Sequence, residues 1–429
     1  MKKLILATLA VVALTTQFAS ASQKKKVMII GMDGVRSDAL QAASTPNIDE
    51  LIATGFYTYD SWHLGYTVSG PSWSAMFTGV WHQKNGVTDN SYAGSNFGQY
   101  PYYPHRAKEV KPNLYAVQIV DWAPMSTQVT NEGFDQKIVR TENDVTAVAN
   151  AAITQLQNAN LDAITVYFAK VDNMGHGSGF SPSNPIYMAA IHEVDSAIGR
   201  VMAALHARPN YANEDWLVLI CTDHGGVGTS HGGNSDNERH IWWIGSGNNV
   251  SRKQLVALQD PGSYLMPANP VNPVLLAKTP VQSDIAVTAI HHLLSDDLDS
   301  AGFAQKRQQW DLDGKSWLDS LRTTSDPVDT SHPPTAIGKT NLPSMDIKVY
   351  PNPSSGWTSL WFDGGKGNKE VSCQVYDVTG KLVLQAGPSA MVSQYRMNVD
   401  LSPLPAGQYF VRIYADDKIA TKPVILHHQ

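Results

Sequence analysis

Seven residues far apart in the chain read as one divided metal site: Asp33, Ser69, Asp172, His176, Asp223, His224 and His231. Three of the acids follow apolar runs. Val27–Met32 leads into Asp33-Gly34, Val166–Val171 into Asp172-x-x-Gly175-His176, and Leu217–Thr222 into Asp223-His224-Gly225-Gly226. In open α/β sheets ligands bind outside the carboxyl ends of the strands, so three such runs deliver acids and imidazoles to a single pocket. A metal needs deprotonated donors converging from several directions. Hard carboxylates mixed with borderline imidazoles suit zinc, with manganese or another divalent ion as the alternative. Glycines beside each motif (Gly34, Gly175, Gly177, Gly225, Gly226) allow the backbone to bend and approach closely.

Ser69-Gly70-Pro71-Ser72 reads as a helix start. A hydroxyl and first-turn N–H groups there point at one spot, an anion site by geometry. An ordinary N-cap accounts for a lone serine equally well. Beside a metal cluster, Ser69 becomes a candidate nucleophile, because a bound cation lowers the hydroxyl's pKa. His240, His291 and His292 compete with His231 as a ligand. His291 and His292 fall in an apolar helical stretch, whereas His231 lies in a glycine turn soon after Asp223-His224, which favours His231. Arg36 and Asp38 read as residues that orient the first loop.

The elements that must position these groups alternate strand-like and helix-like stretches from Lys24 to about residue 321, the pattern of an α/β sheet. Strands are expected at Leu114–Val120, Ala163–Ala169, Trp216–Thr222 and His240–Ile244, and helices at Asn184–Ala207 and Ile285–Leu294. Another helix runs from Pro46 to Thr54, with Thr45 as its N-cap and Gly55 as its stop. Gly86–Arg106, rich in Gly, Asn, Ser and Tyr, reads as a long surface loop whose aromatics could wall a substrate site.

The chain has 429 residues, enough for two domains, and a net charge of −6 without a long basic run. That balance speaks against a stable nucleic-acid complex. Residues 1–21 read as a signal peptide: a basic start, an apolar run from Leu4 to Ala13 too short to span a bilayer, and the small-residue motif Ala19-Ser20-Ala21. No transmembrane segment is expected. The two cysteines, Cys221 and Cys373, fall in different domains and read as packed free thiols. Composition shifts near Thr323. Residues 323–344 read as a linker, and 345–429 carry short strand signals at Ile347–Tyr350, Thr358–Phe362, Val371–Asp377, Leu382–Leu384, Tyr409–Ala415 and Lys422–Leu426, an all-β sandwich pattern.

Taken in order, Gly31-Met32-Asp33-Gly34-Val35-Arg36-x-Asp38, the Ser69 segment ending in Thr78-Gly79, Asp172-x-x-Gly175-His176, Thr222-Asp223-His224-Gly225 and Ser230-His231-Gly232 resemble the alkaline phosphatase superfamily, especially its nucleotide pyrophosphatase/phosphodiesterase branch. The resemblance covers roughly residues 26–320, within an expected catalytic domain of 24–322. It implies a mostly parallel sheet flanked by helices and two divalent metal ions, zinc first. One ion would be held by Asp33, Asp223, His224 and the Ser69 oxygen, the other by Asp172, His176 and His231. Ser69 occupies the nucleophile position. Ser72 falls near a phosphoryl-binding asparagine of that branch, and Asn85 stands where a His-Gly pair is usual. The reading is a secreted phosphodiesterase, nucleotide pyrophosphatase or phosphatase acting on a small-molecule phosphoester, with Ser72 and first-turn N–H groups stabilising phosphoryl oxygens. Ser69-x-Pro71-Ser72 also resembles the sulfatase signature, although Trp73 replaces its arginine. A surface protein that kept the fold and lost the chemistry is the remaining alternative. In the tail, Val349-Tyr350-Pro351-Asn352-Pro353, Tyr376-Asp377-x-x-Gly380-Lys381 and Leu401-x-x-Leu404-x-x-Gly407-x-Tyr409 resemble the C-terminal sorting domain of type IX secretion, implying that machinery as a partner and an extracellular or outer-surface location.

Overall fold

The apolar runs form the strands that the site requires. In the computed structural model, eight strands build one sheet: β1 (Lys24–Met32), β2 (Phe56–Trp62), β3 (Tyr115–Val120), β4 (Gln136–Val139), β5 (Leu161–Phe168), β6 (Glu214–Cys221), β7 (His240–Ser246) and β8 (Lys253–Gln254). Their order is β4-β3-β5-β1-β6-β7-β2-β8. The stretch from β4 to β6 is parallel, and β7 runs antiparallel to both β6 and β2. The structure describes residues 23–248, 250–255, 259–318, 347–362, 371–377, 382–386, 396–415 and 418–427. The expected signal peptide and linker lie outside these.

Central strands are apolar throughout because both faces are covered. Val27 and Ile29 face one core, shared with the helices Ser69–Thr78 and Asp284–Leu294. Met28, Ile30 and Met32 face the other, against Val145–Leu156 and Pro185–His206. Register levels the carboxyl ends: Gly31 lies opposite both Tyr167 and Cys221. Asp33, the start of the Asp172 helix and Asp223 therefore leave the sheet along one edge.

Two expectations are corrected by packing. Gly86–Arg106 is no aromatic wall: Tyr92, Phe97, Tyr100, Tyr102 and Tyr103 are buried in the first core, and a short helix begins at Tyr103. Five large apolar rings outweigh the polar residues between them, because burying each removes a large area from water. Thr45 precedes the helix Pro46–Thr54 without a side-chain capping bond. Its hydroxyl turns to Asp49 (3.2 Å), and the free N–H groups of Asn47 and Ile48 are taken by Asp195 (3.4 and 2.9 Å) from the helix Pro185–His206.

The chain divides into two compact units, 1–324 and 325–429. The second is all-β. It contains β9 (Ile347–Tyr350), β10 (Trp357–Phe362), β11 (Val371–Asp377), β12 (Leu382–Ala386), β13 (Arg396–Asp400), β14 (Gly407–Ala415) and β15 (Lys418–Leu426). Antiparallel sheets β13-β10-β9 and β12-β11-β14-β15 share one core of residues such as Leu360, Val399, Cys373 and Val411. The strand Arg396–Asp400 is an addition to the expected set. Cys221 and Cys373 are both buried free thiols.

Candidate metal centre

Asp33 follows β1 and is 1% exposed. Its Oδ2 accepts from Trp73 Nε1 (2.9 Å) and the Tyr167 hydroxyl (2.6 Å), while Oδ1 has no hydrogen-bond partner. Asp223 follows β6; its Oδ1 accepts from Gly34 N–H (3.1 Å) and its Oδ2 has no partner. Gly34 makes that approach with φ at +68°, a conformation glycine adopts without penalty. Asp172 and His176 stand one turn apart on the helix Lys170–Ser178, so this motif belongs to a helix rather than to a glycine turn. Gly177 on that helix has open space around it and serves no close approach. Asp172 Oδ1, too, lacks a hydrogen-bond partner. Three buried carboxylate oxygens without donors are costly unless a cation meets them.

The histidines supply the complementary half. His224 Nδ1 contacts the carbonyl of Gly225 (2.9 Å), His176 Nδ1 that of Thr229 (2.9 Å) and His231 Nδ1 that of Thr67 (2.8 Å). A carbonyl oxygen only accepts, so Nδ1 carries the proton in all three and each Nε2 is left to bind a proton or a metal. Backbone carbonyls commonly fix metal-binding imidazoles in this way. The Nε2 atoms converge. His224 Nε2 lies 3.6 Å from Asp33 Oδ1, 3.3 Å from Asp223 Oδ2 and 3.4 Å from Ser69 Oγ. His176 Nε2 lies 3.3 Å from Asp172 Oδ2 and 3.0 Å from His231 Nε2, which is itself 3.6 Å from Asp172 Oδ1. The His224 and His231 rings stack at 3.8 Å, joining the groups into one centre. Asp33, Asp223 and His224 have the spacing of a cation site, and so do Asp172, His224 and His231.

Electrostatics agrees. Burial, then the charges of Asp223 and Asp172, holds the Asp33 carboxyl well above its ordinary range. Burial does the same for Asp223, with Asp172 adding to it. Asp172 is also buried, yet the His176 hydrogen bond and the nearby imidazoles bring it below the usual value. His176 is pushed up to about 9 by Asp172. Burial and the neighbouring His224 drive His231 down to about 4. The pocket concentrates negative charge and lone pairs, a donor set that fits divalent cations with mixed nitrogen and oxygen ligands.

Ser69 is the first residue of the helix Ser69–Thr78, with its hydroxyl beside His224. Ser72 is not brought to the cluster. It is fully buried, its hydroxyl meets His63 Nε2 (2.8 Å), and it donates to the Tyr66 carbonyl (3.2 Å). The first-turn N–H groups are also largely committed. Ser72 N–H bonds the Val68 carbonyl (3.0 Å), Gly70 N–H bonds Asn90 Oδ1 (2.7 Å), and Pro71 has none. Asn90 is therefore a polar group at the Ser69 turn that the sequence reading missed, because nothing local marks a contact across twenty positions. Trp73 and Tyr167, the donors to Asp33, were missed for the same reason.

Arg36 orients the loops, bonding Asp38 (2.7 Å), the Phe180 carbonyl (2.9 Å) and Asn237 (3.0 Å). His240 pairs with Asp60 (3.2 Å), and His291 and His292 are buried in the helix Asp284–Leu294. Asn85 spans Val80 and Val87 within the turn after the Ser69 helix (2.8 and 3.0 Å).

The sheet order and the centre at its carboxyl edge define an alkaline-phosphatase-like fold. Residues 27–270 match the profile of type I phosphodiesterases and nucleotide pyrophosphatases, and the chain belongs to that family. Residues 348–427 match the secretion system C-terminal sorting domain. GPI ethanolamine phosphate transferase 2 of Schizosaccharomyces pombe is 24% identical over 245 residues, covering 53% of this chain and 31% of that protein. Ectonucleotide pyrophosphatase/phosphodiesterase family member 7 of Homo sapiens is 22% identical over 249 residues, covering 51% and 53%. The match thus spans 31% of the first relative's length and 53% of the second's. A solved 2-O GAG sulfatase shares the fold with a TM-score of 0.52 at 14% identity, over 93% of this chain and 85% of that one.

Proposed function

We propose that this chain is an exported, metal-dependent phosphoester hydrolase with Ser69 as its nucleophile. The observation that carries the reading is the convergence of three carbonyl-anchored imidazoles and three donorless carboxylate oxygens beside one serine hydroxyl. Asp33, Asp223, His224 and Ser69 would hold one divalent ion, and Asp172, His176 and His231 the other. Zinc suits this donor set, and when bound such ions neutralise phosphoryl oxygens and favour the ionised hydroxyl. Ser69 Oγ attacks phosphorus, the ester oxygen departs, and water later cleaves the phosphoseryl bond. Asn90 takes the place first assigned to Ser72. With Oδ1 engaged by Gly70, its two amide N–H donors are left to meet a phosphoryl oxygen at the Ser69 turn.

The family favours phosphodiesters or pyrophosphates over monoesters as the substrate class. A sulfatase is the second reading, motivated by the shared fold. It fits the site less well, because three imidazoles suit a transition-metal pair rather than calcium, which prefers oxygen ligands. Export, by a signal peptide and the sorting domain, leads to an extracellular or outer-surface location. The test is hydrolysis of matched p-nitrophenyl phosphate, phosphodiester and sulfate esters by metal-analysed protein. Diester turnover that disappears on chelation and returns with zinc is expected. Sulfate turnover alone would transfer the site to the sulfatase reading.

A further inference from the structure

Phe180 stands just beyond the helix that carries Asp172 and His176, and it is 1% exposed. Its backbone is fixed on both sides: the N–H donates to the Gly228 carbonyl (2.7 Å), and its carbonyl accepts from Arg36 Nη1 (2.9 Å). The ring meets His176 edge-on with centroids 5.3 Å apart at 83°, and His231 at 6.1 Å and 86°. It also meets Tyr187, at 5.7 Å.

Two glycines show how closely the ring is fitted. A Cβ at Gly175 or at Gly226 would overlap the Phe180 ring. Gly175 immediately precedes His176, and Gly226 opens the turn that ends at His231. The ring thus fills the space between the two segments that bring these imidazoles together. Interiors are packed closely enough that such a ring transmits position, so removing it lets both segments relax inward. The other half of the centre takes its order elsewhere. Asp33 is oriented by Trp73 and Tyr167, and Asp223 by Gly34 N–H.

We infer that Phe180 is a positioning residue: an aromatic wedge that sets the spacing of His176 and His231 and so selectively governs affinity for the second ion. This rests on the two-ion reading above. The test is calorimetric titration of the metal-stripped full chain with Zn²⁺. Wild type is expected to bind two ions. In Phe180→Ala the first should bind as before and the second about 10- to 100-fold more weakly, the scale of losing outer-shell support. Gly226→Ala, which leaves the ring in place but crowds it, should reproduce the selective loss. Phe180→Leu should recover most of the second ion's affinity, and Gly226→Ala carries the test if Phe180→Ala does not fold. Wild type binding fewer than two ions would overturn the two-ion reading and this inference with it. Wild type binding two, with both sites unchanged or equally weakened in Phe180→Ala, or in Gly226→Ala where the first variant does not fold, would overturn the wedge alone.

Discussion

The two halves of the centre are built differently. Asp33, Asp223 and His224 leave the ends of neighbouring central strands, and all three are essentially inaccessible. Asp172 and His176 sit on a helix and His231 on a glycine-bounded loop; the His176 side chain is 42% exposed. Strand ends are fixed by ladders on both sides, whereas a helix and a loop can shift against the sheet. On the two-ion proposal, a rigid half beside Ser69 and a more open half facing solvent would make one ion resident and the other exchangeable. Chelation should accordingly remove the His176-side ion first.

The largest effect expected tests the rigid half. Ser69→Ala should reduce turnover by about three orders of magnitude or more, on the scale of losing a nucleophile, while metal content by elemental analysis stays at wild type. Near-normal steady-state turnover would remove Ser69 from its role.

Next come the imidazoles. His224→Ala removes a ligand that touches both groups and should cost more than the roughly 10- to 100-fold typical of outer-shell changes, with loss of both ions. His176→Ala removes a proposed ligand of the second ion only, and should cost about 10- to 100-fold with the first ion retained. Equal losses in the two variants, in turnover and in metal content, would erase the distinction between the halves.

A stability measurement sharpens the comparison in the opposite direction. Asp223 Oδ2 is buried without a donor, and Asp33 and Asp172 are close enough to raise each other's cost. Metal-free Asp223→Asn should therefore unfold at higher denaturant than the metal-free wild type, by about 1–3 kcal/mol, since the amide keeps an oxygen for Gly34 N–H and removes a charge. With zinc present, the order should reverse. A metal-free variant less stable than wild type would mean that its carboxylate is already compensated by the protein.

The rigid half was legible in the sequence for the same reason that it is rigid. Strands covered on both faces read as unbroken apolar runs, and Asp33 and Asp223 are the first charged residues past them. The open half was only partly legible: the spacing of Asp172 and His176 identified them as partners, but not the helix that carries both. What escaped reading depends on contacts between distant segments. Thr45 lost its cap to Asp195, Ser72 lost its hydroxyl to His63 and Tyr66, and Asn90 reached back to Gly70. The aromatics of Gly86–Arg106 were misread because local polarity said surface while ring volume decided for the core.

The smallest predicted effect tests whether the rigid half owes its order to its surroundings. Tyr167 extends from β5 and donates to Asp33 Oδ2 at 2.6 Å, beside Trp73 Nε1 on the same oxygen. Tyr167→Phe keeps the ring and its edge contact with Trp73 but deletes one of two donors. If strand ends hold Asp33, the remaining Trp73 bond suffices, and zinc affinity of the first site should fall by about 10-fold or less, the low end of outer-shell effects. The second site should not change. A 100-fold loss would place the rigidity in the hydrogen bonds around Asp33 rather than in the sheet, and the contrast between the halves would become one of donors rather than of architecture.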